Sequence, residues 1–450
     1  MRATLLLARP PALFPGTDNT WYDAVARSLE DGHLGRLPAV GGGRVLSIRF
    51  PPAYPYVLAA GRFLLSWVDS FHAHLWTGAL LGTLAAAAVA ALAWRLTRRA
   101  PAPAQVLTTV VAGLLFALNP NVVGGSVSLM AEALVLPVAA LVLLEIDRLV
   151  TGDARRWEAL VLGALLALGA LTRSEGIVVL AAAVVGGYAV TRVRPGATRS
   201  WAVALAIGLA AVIAWSAIAS VAAERPVVMG TNSGSLLLGA NCPVTRTADG
   251  IGYWSVACLT TPDRDLSAET RRRATAQIEF LKDHFALPPQ IGAPGEAEIS
   301  GLQTDAATDE MLDHPLDTVA SVPVRVARGL GLYWSPLQDT QEVFEGRDHS
   351  WEVAGRWFNI VLILPFALVT LVAALFRRSR VGAHLRALTE ARRLVPSLAL
   401  MAAWVVTIAL SYGSARFRAA IEPSLAVFAG IGIAVLVTAF TQRARTEPAS

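Results

Sequence analysis

Asp18 sits in a Gly16-Thr17-Asp18-Asn19 turn, at the head of a run whose Trp21, Val25 and Leu29 recur at helical spacing up to Gly32. A carboxylate held there can accept a proton from a hydroxyl nucleophile, and it can equally cap the helix beginning near Trp21. Later in the same polar stretch, which runs from Pro15 to Pro55, a tip of Gly41, Gly42 and Gly43 precedes Arg44, Arg49 and the sequence Phe50-Pro51-Pro52-Ala53-Tyr54-Pro55. The prolines of that segment lack amide donors, which excludes it from the interior of a helix. An acid, two cations and an aromatic turn therefore share one loop.

Three further groups of charge sit beside apolar runs. Glu132, in SVSLMAEALVLP, lies near the outer end of a span, where an ionisable side chain faces protein or a water-filled cavity; it serves substrate or bonds a neighbouring helix. Arg173 and Glu175 form the charged tip of the hinge LTRSEG, either as a self-satisfied ion pair or with Arg173 on an anionic headgroup. Arg416 and Arg418 lie in SYGSARFRAAIEPSL between two apolar runs. Arginine donates two parallel hydrogen bonds to phosphate oxygens, which gives these two a reason to face outward; pairing with Glu422 is the structural alternative. Asn119-Pro120 reads as a helix stop.

Positioning these groups falls to apolar helices. With 450 residues, 54% hydrophobic, 16% charged and a mean hydropathy of +0.52, the chain is an all-α polytopic membrane protein by composition. The net charge of +5 and pI near 9.6 do not point to nucleic acid, because the arginines fall in short clusters between apolar runs. Nine candidate spans are expected at about 72–94, 104–118, 127–146, 157–172, 176–191, 201–223, 355–376, 394–412 and 419–440. Every second loop is basic: the loops carrying Arg95, Arg98 and Arg99, Arg148, Arg155 and Arg156, Arg192, Arg194 and Arg199, and Arg377 through Arg393. Placed in the cytoplasm, they put the first loop, 119–126, 173–176 and 224–354 outside, on one face with all the candidate chemistry.

Residues 1–14 are too short for the roughly 20 residues a span needs and read as the tail of a truncated first span. The expected organisation is 1–74 for that tail and the first outer loop, 75–223 for transmembrane helices, 224–354 for an extracytoplasmic subdomain and 355–450 for the last transmembrane helices. In the subdomain, Cys242 and Cys258 on an oxidising face form a disulfide; two thiolates beside the isolated His284 are too few for zinc. SAETRRRATAQIEFLKDHF and HPLDTVASVPVRVARGLGLYW read as amphipathic helices flanking a Pro/Gly-rich linker near 288–295.

The order of these motifs resembles a family. The loop Gly16-x-Asp18-x-x-x-Tyr22-x-x-x-Ala26-x-x-Leu29-x-x-Gly32, ending in PPAYP, looks like the first periplasmic loop of the GT-C membrane glycosyltransferases. Asn119-Pro120 with SVSLMAEAL, LGALTRSEG and YGSARFRAAIEP are similar to actinobacterial members, relatives of the protein O-mannosyltransferases and the lipid A aminoarabinose transferase. TNSGSLLLGANC through GYWSVAC, GLYWSPLQ and FEGR extend the resemblance over nearly the whole chain. The mannosyltransferases follow their first-loop aspartate with glutamate where this chain has Asn19.

The resemblance implies a GT-C-type helix bundle that transfers a sugar from a polyprenyl phosphate carrier to an acceptor hydroxyl on the outer face of the cytoplasmic membrane, usually with inversion. Asp18 matches the general base, and Arg173, Arg416, Arg418 and Arg49 are the expected phosphate ligands, with Glu132, Glu175 and Tyr54 in substrate binding. The expected partners are membrane lipid, the lipid-linked sugar donor and a glycan, lipid or protein acceptor. No tightly bound cofactor or metal is expected, since only Asp18 and Asp23 are placed to offer oxygen ligands from the first loop. The competing readings are a transporter or flippase of lipid-linked sugars, which favours charges near the midplane, and a non-catalytic envelope assembly protein.

Overall fold

Nearly every apolar run is helical. The structure, a computed structural model, describes residues 2, 6, 17–152, 157–191, 197–259, 266–283, 287–336, 338, 342–343, 347–376 and 378–446. The expected truncated span at 1–14 lies outside the described residues except for Arg2 and Leu6.

The first polar stretch folds as helix α1 (Asp18–Glu30), a two-stranded hairpin, β1 (Arg36–Pro38) antiparallel to β2 (Arg44–Leu46), and helix α2 (Ala53–Leu64). Gly41, Gly42 and Gly43 all take positive φ at the hairpin tip, which explains the glycine run. Helix α2 begins at the proline turn, with Pro52 at its N-cap and Pro55 in its first turn, where a missing amide costs nothing. Trp21, Tyr22, Phe50 and Tyr54 pack as one aromatic cluster, with ring centroids 5.0 to 5.3 Å apart, and seat α1 on α2. A second tie is ionic: buried His74 places Nδ1 2.8 Å from Asp23 and Nε2 2.5 Å from Glu30, fastening the middle and the C-terminal end of α1 to the helix that follows α2.

That helix, α3 (Ser70–Leu96), starts the bundle. It is followed by α4 (Ala102–Leu118), α5 (Pro120–Val127), α6 (Glu132–Thr151), α7 (Glu158–Ala170), α8 (Gly176–Thr191) and α9 (Ala197–Ala223). The region 119–126, expected as an outer loop, is instead the helix α5, bent 54° from α4. Asn119 ends one helix and caps the next by accepting from the Asn121 amide, and Pro120 fills the first position of α5. Consequently the following span begins at Glu132, not at 127.

After α9 come α10 (Ser233–Ala240), α11 (Ala268–Asp283), α12 (Ala293–Asp313) and α13 (Pro315–Leu330). The expected linker gives way at Ala293 to the 21-residue helix α12, whose Pro294 is a helix-starting proline in the first turn. Cys242 and Cys258 are joined in a disulfide. Arg325 and Arg328 of α13 hold this region to the membrane bundle: Arg325 donates to the carbonyls of Ala409 and Ala240, and Arg328 to those of Ile251 and Asp249.

The chain returns through α14 (His349–Phe358), a π-helical turn at Asn359–Ile363 and α15 (Leu364–Leu375), which together form one 27-residue apolar stretch. Helices α16 (Arg380–Leu388), α17 (Val395–Leu410) and α18 (Glu422–Thr446) complete the bundle. All nine expected spans are helical, but by length and composition five among the described residues can cross a membrane, or six with the bent α4–α5 pair. Helices α7 and α8 are shorter than the roughly 20 residues a spanning helix needs, and α6 carries Glu132, Glu145, Asp147 and Arg148. The chain is a multi-pass helical membrane protein.

Candidate active site

The candidate residues converge from four separate segments onto one end of the bundle. Asp18 opens α1, Glu132 opens α6, Arg173 and Glu175 form the turn between α7 and α8, and Arg416 lies in a short 3₁₀ turn at Ala415–Ala420 before α18. The N-cap of α1 is Thr17, so Asp18 is free of the capping role open to it in the sequence and turns its carboxylate to Arg416 instead.

These five side chains form a continuous chain of charge. Asp18 Oδ2 accepts from Arg416 Nη2 at 3.0 Å, and Arg416 Nε donates to Glu132 Oε1 at 2.8 Å. The same Glu132 oxygen accepts from Arg173 Nη1 at 2.5 Å, and Arg173 Nε donates to Glu175 Oε1 at 2.5 Å. Arg173 also stacks its guanidinium 5.0 Å from the Phe417 ring centre. Burial works to lower the pKa of Arg173, but Glu175 and Glu132 outweigh it and hold the guanidinium above its ordinary value.

A cavity of about 400 Å³ opens over this chain. Asp18, Tyr22, Arg49, Arg173, Glu175 and Arg416 supply its charged and aromatic side, and Val178, Leu236, Leu237, Val406 and Leu410 supply an apolar wall. The backbone of the outer segment closes it: Thr231 and Asn232 donate to the carbonyls of Ile48 and Arg49. A Cβ on Gly230 would stand 2.7 Å from the Arg49 carbonyl, so the close approach requires glycine. Val178, Val406 and Leu410 are exposed on the bundle surface, which makes the apolar wall continuous with the lipid-facing side.

Three expected site residues stand behind this cavity. Glu132 is 2% exposed and reaches it only through its two arginines. Tyr54 is fully buried in the aromatic cluster, where burial pushes its phenol well above the ordinary value. Arg418 is fully buried, donates to Glu422 at 2.6 Å and to the Gly329 carbonyl at 3.2 Å, and does not line the cavity. The physical reason is the 3₁₀ turn: at three residues per turn, positions two apart point to different sides, so Arg416 faces the cavity and Arg418 the protein. Asn19, where the mannosyltransferases carry glutamate, is buried and accepts from Thr17 and the Thr20 amide, a role internal to the turn.

The residues that sequence reasoning missed are Tyr22, Asn232 and Tyr412 on the cavity wall and a second buried charge cluster beneath it. There Arg347 lies 2.8 Å from Glu352, and Glu342 accepts from Gln338 and Ser414. Burial, with Glu352 adding to it, pushes the Glu342 carboxyl up to about 7. Nothing in the spacing of these residues distinguishes them from surface charge. Among the described residues no group of three or more His, Cys, Asp or Glu could hold a metal ion.

Toward the far end of α6, about 22 Å from Glu132 at helical rise, Asp147 pairs with Arg393 at 2.7 Å and with Arg95 at 3.0 Å. The basic loops and the cavity therefore occupy opposite ends of the bundle.

Residues 50–218 match the dolichyl-phosphate-mannose-protein mannosyltransferase family. The match includes Glu132, Arg173 and Glu175 but not Asp18 or Arg416, and it does not extend to the actinobacterial group. No curated protein sequence matches this chain significantly.

Among solved structures, ArnT from Cupriavidus metallidurans in the apo state is similar over 96% of this chain and 75% of its own, at 13% identity and a TM-score of 0.39. The same protein bound to undecaprenyl phosphate gives 16% identity and a TM-score of 0.36, over 95% and 74% of the two chains. The archaeal oligosaccharyltransferase AglB from Archaeoglobus fulgidus, in complex with an inhibitory peptide and a dolichol-phosphate, gives 12% identity and a TM-score of 0.42. That match covers 98% of this chain and about half, 49%, of AglB.

Proposed function

We propose that this protein is a membrane glycosyltransferase that moves a sugar from a polyprenyl phosphate carrier to an acceptor hydroxyl on the extracytoplasmic face of the cytoplasmic membrane. The observation that carries the reading is one cavity with two carboxylates and three guanidinium groups on one side and a lipid-continuous apolar wall on the other. Phosphate oxygens suit the forked donors of Arg173 and Arg416, with Arg49 a third cation on the wall, and the polyprenyl chain suits Val178, Val406 and Leu410.

In the reaction, the acceptor oxygen attacks the anomeric carbon and its proton passes to Asp18. The bond from that carbon to the phosphate oxygen breaks, and its electron pair leaves on the phosphate. Arg173 and Arg416 face the charge that grows there, inside a protein wall where hydrogen bonds to an anion are stronger than in water. Attack from the face opposite the leaving phosphate inverts the anomeric centre. Glu132 holds both guanidinium groups at a fixed separation, and Glu175 orients Arg173 from the rim. The basic cluster around Asp147 at the opposite end of the bundle supports the outward-facing location.

The test is transfer of radiolabelled sugar from a panel of polyprenyl phosphate sugars in proteoliposomes of the purified protein. Transfer with release of the polyprenyl phosphate supports the reading. Movement of the intact lipid-linked sugar across the bilayer without release would replace it with the transporter reading.

A further inference from the structure

The two phosphate-binding arginines are already engaged before any donor arrives. Along the chain Asp18, Arg416, Glu132, Arg173 and Glu175, three carboxylates face two guanidinium groups. A phosphodiester brings a further negative charge and no cation of its own, so it competes with these carboxylates for the two guanidinium groups.

Exposure decides which carboxylate gives way. The Glu132 side chain is 2% exposed, and separating it from its arginines would strand a buried charge. The Asp18 side chain is 25% exposed and borders the cavity, so water can replace the bond it loses. The Arg416 fork is arranged for this exchange: Nε stays anchored on Glu132, and Nη2, now on Asp18, is the arm that faces the cavity carboxylate. Arg49, on the same wall, has no carboxylate within salt-bridge distance among the described residues, and supplies the initial pull on the anion.

We propose that the donor phosphate displaces Asp18 from Arg416, so that donor binding itself releases the base. The inference rests on the glycosyltransferase reading above and adds an order to it. With no donor bound, an Arg416 N–H holds Asp18 Oδ2 and leaves Oδ1 alone to meet an acceptor hydroxyl. Once the phosphate holds Arg416, the carboxylate stands free beside the anomeric carbon. Donor therefore binds before a productive acceptor, and both oxygens of the base turn to the acceptor only in the donor complex.

Competition for one guanidinium has a consequence that a simple base role lacks. Removing the Asp18 carboxylate abolishes transfer but makes phosphate bind more tightly. The experiment measures affinity for farnesyl phosphate, which presents the departing carrier's phosphate, with detergent-purified full chain and no acceptor. Asp18→Asn is expected to bind about two- to fivefold tighter than wild type, the worth of a partly exposed ion pair. Asp31→Asn, at the other end of α1, removes the same charge away from Arg416 and is expected to bind as wild type does. Asp18→Ala gives the same comparison if the amide variant does not fold. Binding to wild type with equal or weaker binding to both Asp18 variants, or equal tightening by Asp31→Asn, overturns the displacement and leaves the transferase reading intact. Folded wild type that binds no farnesyl phosphate and transfers no sugar overturns both.

Discussion

Glu132 accepts from Arg173 at 2.5 Å and from Arg416 at 2.8 Å through the same oxygen, Oε1. One buried carboxylate thereby fixes the separation of two guanidinium groups supplied by opposite halves of the chain. It contributes position, and the cavity beyond the arginines is left to the substrate.

Replacing Glu132 with glutamine is expected to act on both stability and turnover. Two buried guanidinium groups would lose their shared counter-charge, which destabilises on the order of 3 kcal/mol. The arginines would also lose their spacing, and a displacement near 1 Å costs about 100-fold in rate. Thermal unfolding and donor kinetics of the Glu132→Gln protein check this. A normal KM and kcat would show that the arginines are positioned by something else.

Glu342 sets a pH dependence of stability. Its carboxyl, ordinarily near 4.5, is pushed up to about 7 by burial and by Glu352. Between these values the folded protein binds more protons than the unfolded one, so the contribution is fully present below the lower value and lost as pH rises through the upper. Glu342→Gln removes this loss. Its thermal midpoint is expected to gain on wild type, by roughly a few degrees, as pH rises from about 5 to about 8. A constant difference across that range would rule out Glu342 as the titrating group.

The Cys242–Cys258 disulfide closes a short loop, with a sequence separation of 16. Closure of a loop this size is worth about 3 kcal/mol through the unfolded chain. The double change Cys242→Ala with Cys258→Ala is expected to loosen the outer segment first, since Arg325 and Arg328 take their backbone acceptors on either side of Cys242. Hydrogen exchange at residues 240–258, faster in the double variant than in wild type, checks this.

Much of the architecture is legible in the residue pattern, because burial in lipid demands apolar helices and the arginine clusters mark their ends. The proline turn before Tyr54 and the glycine tip at 41–43 were equally readable, since each residue's backbone preference matches its place. Helix α12 was not, because its opening Pro and Gly resemble a linker until the chain is seen to continue in helical form. The division of labour between Arg416 and Arg418 depends on a 3₁₀ turn that the sequence does not announce. Asp18, Glu132 and Arg173 were each visible as charges beside spans, but their pairing is set by tertiary packing over long separations.

The measurement that bears most directly on the account is sugar transfer from polyprenyl phosphate donors by wild type and Asp18→Asn at equal protein level and equal thermal stability. The account predicts that the variant retains its fold and loses transfer by about 100- to 10,000-fold, the usual contribution of a general base. Equal transfer by the two proteins would contradict it and remove Asp18 from the chemistry.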